Sequence, residues 1–128
     1  MTKHLEFPCG LPAFETYTRF KLVEKHPLLF LESETNPDLS FLLLPVSLID
    51  PDYRLALSPE DRATIAAVDE SPLMCLAVVT AVEDLPPTAN LLAPVVVNLD
   101  SGRAVQAVRS DTMYSHKHPL MPEGVPCS

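Results

Sequence analysis

The sequence predicts a mainly β fold: a compact small antiparallel β-barrel or sandwich with one short helix. It forms one domain over residues 1–120, with residues 121–128 as a flexible C-terminal tail. Three observations predict this. Proline is frequent and glycine scarce, 14 against 3 in 128 residues, a balance that shortens helices and strands and favours rigid corners. Short apolar or alternating segments recur between turn signals such as Asn36-Pro37-Asp38, Asp50-Pro51-Asp52 and Asp100-Ser101-Gly102. With 47% hydrophobic residues, a chain of this length buries roughly two-thirds of its unfolded surface, enough for a core without disulfides or metal.

The elements follow in chain order. Phe7 to Phe14 is a turn-rich opening loop with apolar anchors. Tyr17 to Glu24 alternates, with Phe20 and Leu22 on one face and Arg19 and Lys21 on the other, as a half-buried strand requires. His26-Pro27 breaks it, and Leu28 to Glu34 forms a second strand. Leu39 to Val46 is almost wholly apolar, and its length fits a central strand buried on both faces. Ser58-Pro-Glu-Asp61 opens the helix, about Pro59 to Val68: Ser58 caps, Pro59 suits the first helical position, and the acids favour the positive end of the dipole. Leu73 to Val82 is a strand rich in Val and Leu. Leu92 to Leu99 and Arg103 to Val108 form a hairpin, with Gly102 supplying the positive φ of its turn.

Charge is uneven. Net charge is −8, yet the stretch from Pro27 to Gly102 holds 12 acidic residues against only Arg54 and Arg62. Such a body repels phosphate backbones, which disfavours direct nucleic-acid binding, and attracts basic proteins; acidity of this kind also serves solubility. No segment suits a bilayer: the apolar charge-free stretch Ser71 to Val82 has 12 residues against about 20 for a spanning helix. Cys9, Cys75 and Cys127 form no Cys-x-x-Cys, and the start lacks a secretory h-region, so a reduced cytosolic protein is expected.

Chemistry-bearing motifs are sparse. There is no phosphate loop, nucleophile elbow, His-Glu-x-x-His or EF-hand loop, and no cofactor is expected. His116 and His118 could grip a metal with a third ligand such as Cys127, but the spacing fixes none, and the pair reads as solvated. Asp50 and Asp52 could act as paired carboxylates; flanking Pro51, they read as an acidic turn. Tyr53, followed by Arg54, is either an interface anchor or a half-buried tyrosine closing a loop.

Several segments, in order, resemble the FliW flagellar assembly factors. They are Phe7-Pro-Cys-Gly-Leu-Pro-Ala-Phe-Glu15, Phe30-Leu-Glu-Ser-Glu34 with Pro37-Asp-Leu-Ser-Phe41, Asp52-Tyr53, Thr88-Ala-Asn-Leu-Leu-Ala-Pro-Val-Val-Val-Asn98, and Ser101-Gly-Arg-Ala-Val-Gln106 with Tyr114. The resemblance spans about Leu5 to Leu120; Ala13 stands where the family often has glycine, and the hairpin lacks a usual second glycine. It implies a cytoplasmic, non-enzymatic, barrel-like protein. Such a protein binds flagellin before export and also binds CsrA, a small basic RNA-binding repressor of flagellin translation, the two partners exchanging. Charge density near strand ends selects Glu32, Glu34, Asp38, Asp50 and Asp52, with Tyr53, as candidate partner contacts. Two rival readings are a small-ligand-binding or enzymatic β-barrel such as a flavin-type split barrel, which requires a concave apolar pocket with converging polar groups, and an unrelated interaction adaptor.

Overall fold

The computed structural model describes residues 2–111 and 113–120. The expected tail, residues 121–128 with Cys127, lies outside the described residues. Four strands come first: β1 (Thr2–Glu6), β2 (Arg19–Lys25), β3 (Leu28–Ser33) and β4 (Ser40–Pro45). Two short helices follow, α1 (Val46–Ile49) and α2 (Pro59–Thr64). Then come β5 (Leu73–Thr80), β6 (Thr88–Ala89), β7 (Val95–Asn98), β8 (Arg103–Gln106) and β9 (His118–Pro119). No helix among the described residues is long and apolar enough to cross a membrane.

The sheet runs β4-β3-β2-β1-β8-β7-β5, and β4 pairs with β5, so these seven strands close into a barrel. Closure runs antiparallel from Leu42↔Val79 to Pro45↔Leu76. The opposite seam is narrow: β1 meets β8 in parallel at Glu6↔Arg103, backed by the Glu6 N–H donating to the Gly102 carbonyl at 2.9 Å. Strand β5 divides its second edge. Leu73 to Leu76 pair with β7, Val79 and Thr80 pair with β6, and β9 adds to β6.

Alternation along the strands fills the interior. Phe20 and Leu22 of β2, Leu29 and Leu31 of β3, Leu43, Leu76, Val95 and Val97 are all buried there. Phe7 joins them from the opening loop and meets Phe20 edge-to-face at 5.2 Å. Each such side chain contributes roughly 1.5–3 kcal/mol on burial. Two smaller clusters lie outside the wall. Val46, Ala77, Ala89 and Leu91 pack beneath α1, and Ile65, Val96, Val105 and Ala107 pack where α2 ends.

The structure adjusts three expectations. There are two short helices, because Pro45 ends β4 and turns Val46–Ile49 into α1. Helix α2 stops at Thr64 rather than Val68: Ile65 drops into the core and Ala66 takes a left-handed φ of 54°. Its start is as expected, with the Ser58 Oγ accepting from the Asp61 N–H at 3.0 Å. The strand buried on both faces is β7, not the Leu39–Val46 segment, whose β4 residues are mostly half-buried. The Ile65 segment covers the outer side of β7, and Asn98 there donates to the Ile65 carbonyl at 2.9 Å.

Two glycines sit in left-handed turns with different surroundings. A Cβ on Gly10 (φ 67°) would lie 2.5 Å from the Glu15 Cα, whereas one on Gly102 (φ 72°) would come no nearer than 3.8 Å to the His4 carbonyl oxygen. Gly102→Ala is therefore expected to cost only the left-handed penalty, about 1–2 kcal/mol. Gly10→Ala must cost clearly more, because it also displaces backbone. Urea unfolding of the two variants tests this; equal losses would contradict it.

Candidate functional site

The six candidate partner contacts fall into two groups. Glu32, Glu34 and Asp38 lie at the Ser40 end of β4, because Glu32 pairs with Ser40. Asp50, Asp52 and Tyr53 follow α1 beyond its Pro45 end. The length of β4 separates the groups by about 16 Å. In the first group the negative field is partly offset at Glu32, which lies 3.6 Å from the Lys21 ammonium, while Glu34 contacts the His4 ring. In the second, the Asp50 carboxylate accepts from the Asp52 N–H at 3.0 Å, and among the described residues neither acid has a cation at ion-pair distance. The Asp50–Asp52 turn is thus the less neutralised of the two.

Tyr53 leads inward to a residue that sequence reasoning missed. Its hydroxyl donates to the Leu91 carbonyl at 2.7 Å, and its ring stacks on Tyr114 with centroids 4.3 Å apart. The buried Arg109 guanidinium lies 4.8 Å from the Tyr114 centroid and 5.6 Å from that of Tyr53. It grips the Asp111 carboxylate with Nε at 3.0 Å and Nη2 at 2.9 Å, and Nη1 donates to the Arg54 carbonyl. The Arg54 N–H in turn donates to the Tyr114 hydroxyl at 3.0 Å. One buried arginine thereby ties the segment after α1 to the segment after β8. Hydrogen bonding to Arg109 holds the Asp111 carboxyl below its ordinary value, and burial raises the Tyr53 phenol. So Tyr53 closes a loop, with its ring half-buried. In sequence Arg109 looks like any basic residue; Tyr53 and Tyr114 were the only hint of a stack.

A cavity of about 250 Å³ opens at one mouth of the barrel. Four of the segments singled out in the sequence converge on it. Leu11 and Phe14 come from the opening loop, Leu31 and Phe41 from β3 and β4, Thr88, Asn90 and Val95 from the stretch 88–98, and Gln106 from the hairpin. Phe14 and Phe41 meet edge-to-face at 5.7 Å. The Asn90 Oδ1 accepts from the Leu92 and Ala93 N–H groups at 3.1 and 2.9 Å, while Gln106 Nε2 donates to the Ala93 carbonyl at 3.0 Å. His116 and Lys117 reach the rim. They are held there by the Leu91 N–H donating to the Ser115 carbonyl at 2.9 Å and by the β6–β9 pairing. His118 faces Ala89 in that pairing, and no three potential metal-binding side chains cluster among the described residues.

The comparisons with known proteins agree with one another. The family model described as "FliW protein" matches residues 1–120. The flagellar assembly factor FliW of Desulfitobacterium hafniense is 36% identical over 124 residues, covering 93% of this chain and 81% of that protein. That of Caldanaerobacter subterraneus subsp. tengcongensis is 31% identical over 122 residues, covering 91% and 81%. A crystal structure of the flagellar assembly factor FliW matches with a TM-score of 0.87 at 30% identity, over 96% of this chain and 89% of that one.

Two outcomes follow from the Arg109 cluster and its neighbour Cys75. Arg109→Ala removes a buried side chain together with its bonds to the Arg54 carbonyl and the Asp111 carboxylate and is expected to cost about 2 kcal/mol or more in urea unfolding. Arg109→Lys should recover less than half, since ammonium cannot make the forked contact; full recovery by lysine would show that charge alone matters. Burial pushes the Cys75 thiol up to about 11, with Arg109 pulling weakly the other way. The fold thus holds the proton longer than the unfolded chain does. This stabilisation is intact below the ordinary thiol value of about 8.5 and is lost as pH rises through about 11. In a Cys127→Ser background, a thiol reagent at about pH 8 should modify exposed Cys9 quickly and Cys75 only slowly; equal rates would contradict that placement.

Proposed function

Because this chain belongs to the FliW family of flagellar assembly factors, we propose that it acts in the cytoplasm as a partner switch between flagellin and the translational repressor CsrA. The family is one of assembly factors of regulatory or chaperone type, not of enzymes. With flagellin bound, CsrA is free to repress flagellin synthesis. Once flagellin is exported, this protein sequesters CsrA and relieves the repression. The observation that carries the reading is the family match running end to end across the barrel domain, residues 1–120.

Electrostatics supports the CsrA limb. A protein of net charge −8 accelerates encounter with a basic partner, while apolar contacts set how long the complex lasts. The Asp50–Asp52 turn is the preferred docking point over Glu32, whose charge the Lys21 ammonium partly offsets, and the neighbouring Glu34. Asp38, exposed in the β3–β4 turn, belongs with the latter group. Tyr53 acts from beneath, by holding the turn in place through its hydrogen bond to Leu91.

Calorimetric titration with CsrA from the same organism, at low and moderate salt, tests the reading. Saturable binding weakened by salt is expected. Replacing Asp50 and Asp52 together with lysine should slow association at low salt about tenfold, whereas Glu32→Lys with Glu34→Lys should slow it less. No complex at either salt would remove the CsrA limb. An unchanged rate in the Asp50/Asp52 variant would move the docking point elsewhere.

A further inference from the structure

The barrel-mouth cavity has a chemistry unlike the rest of the molecule. The chain carries 17 acidic residues, yet among the described residues that line this cavity none bears a carboxylate, and Lys117 stands at its rim. The walls beneath are apolar. Along one side the polar groups are already oriented. Two backbone N–H groups occupy the Asn90 Oδ1, so its amide presents Nδ2–H₂ donors; the Thr80 and Thr88 hydroxyls lie on the same wall. These groups are partly solvent-accessible and free to donate to a ligand that enters the cavity.

We propose that this cavity is a binding site for a small apolar molecule bearing one carboxylate, a site additional to the partner surface. The hydrocarbon part fills the space between Phe14, Leu31, Phe41 and Val78. The carboxylate accepts from Lys117 and the neighbouring neutral donors. Several observations favour this class. The volume of about 250 Å³ corresponds to roughly eight waters, room for a short chain or single ring and too little for a drug-sized molecule. One ammonium with neutral donors matches a single negative charge; a doubly charged phosphate calls for more cations or a helix terminus. The apolar walls exclude a fully hydrated anion.

Nuclear magnetic resonance of the whole chain titrated with octanoate, and separately with octanol, tests the site. Octanoate is expected to shift the Asn90 and Gln106 side-chain amides and the Leu31 methyls in a saturable way, and octanol to bind at least about tenfold more weakly. Lys117→Glu, at an exposed position where folding is not at stake, should weaken octanoate about tenfold or more and leave octanol unchanged. A short leucine-ending peptide, as free acid and as amide, then separates the sources. Tighter binding of the free-acid peptide than of octanoate marks a polypeptide end and overturns the small-molecule assignment; the reverse upholds it. Absence of saturable shifts with octanoate, equal binding of octanol, or undiminished octanoate binding to Lys117→Glu would overturn the proposal. Each readout is independent of flagellin and CsrA.

Discussion

Strand β5 is the constraint on which the rest of the structure depends. It is hydrogen-bonded along both edges: to β4 on one side, and to β7 and then β6 on the other. Without the β4 pairing, the first four strands would be a meander with an open apolar face and a free edge, a form that invites aggregation. With it the sheet closes, and Leu22, Leu31, Leu43, Leu76 and Val95 share one interior. Splitting the second edge also has a consequence. Where β5 leaves β7 for β6, the wall parts, and the stretch between β6 and β7 folds across the end of the barrel. The mouth cavity lies there, with Val78 and Thr80 of β5 facing Asn90 and Val95.

Arg109 plays the corresponding part outside the wall. A buried guanidinium is tolerated only when its donors are satisfied and its charge is matched. Here one carboxylate, one carbonyl and two aromatic faces meet those needs. Every partner comes from an irregular segment. The cluster therefore does for the loops what the ladder does for the strands, and the acidic turn at Asp50 and Asp52 is presented on a backbone pinned just behind it. A turn on such a support is largely pre-ordered.

The acidic turn and the mouth cavity lie toward opposite ends of β4 and differ in shape and lining. The acidic turn, Asp50 to Asp52, lies on the outer surface beyond the Pro45 end of β4. The mouth cavity is concave, apolar and rimmed by Lys117, and suits a small anion with a hydrocarbon body. A flagellar assembly factor can carry both, because the barrel places them on different elements. A concave cavity is present within a FliW fold, while family membership sets aside the unrelated-adaptor reading.

Much of the fold was legible in the sequence because its causes are local. Alternation in Arg19–Lys25 reports which side of a strand faces the core, Ser58-Pro59 reports a helix start, and Asp100-Ser-Gly102 reports a hairpin turn. Order and spacing of short segments were enough for the family. What failed depended on neighbours distant in sequence. Strand β1 buries only Leu5 among polar residues, so its strand character comes from pairing with β2. The two-residue strands β6 and β9 exist only through each other and β5. An apolar run does not disclose whether both its faces are covered, which is why β7 rather than β4 is the doubly buried strand. The six acidic and aromatic candidates were visible as charge and ring, but not their division between the two ends of β4. Arg109 and the mouth cavity were not visible at all. The sequence by itself determined the mainly β class, the helix start, the hairpin and the acidic character, since propensity, capping and composition act within a few residues. Only the tertiary structure decided closure through β5, the buried arginine and the cavity, since each is made by groups brought together from segments tens of residues apart.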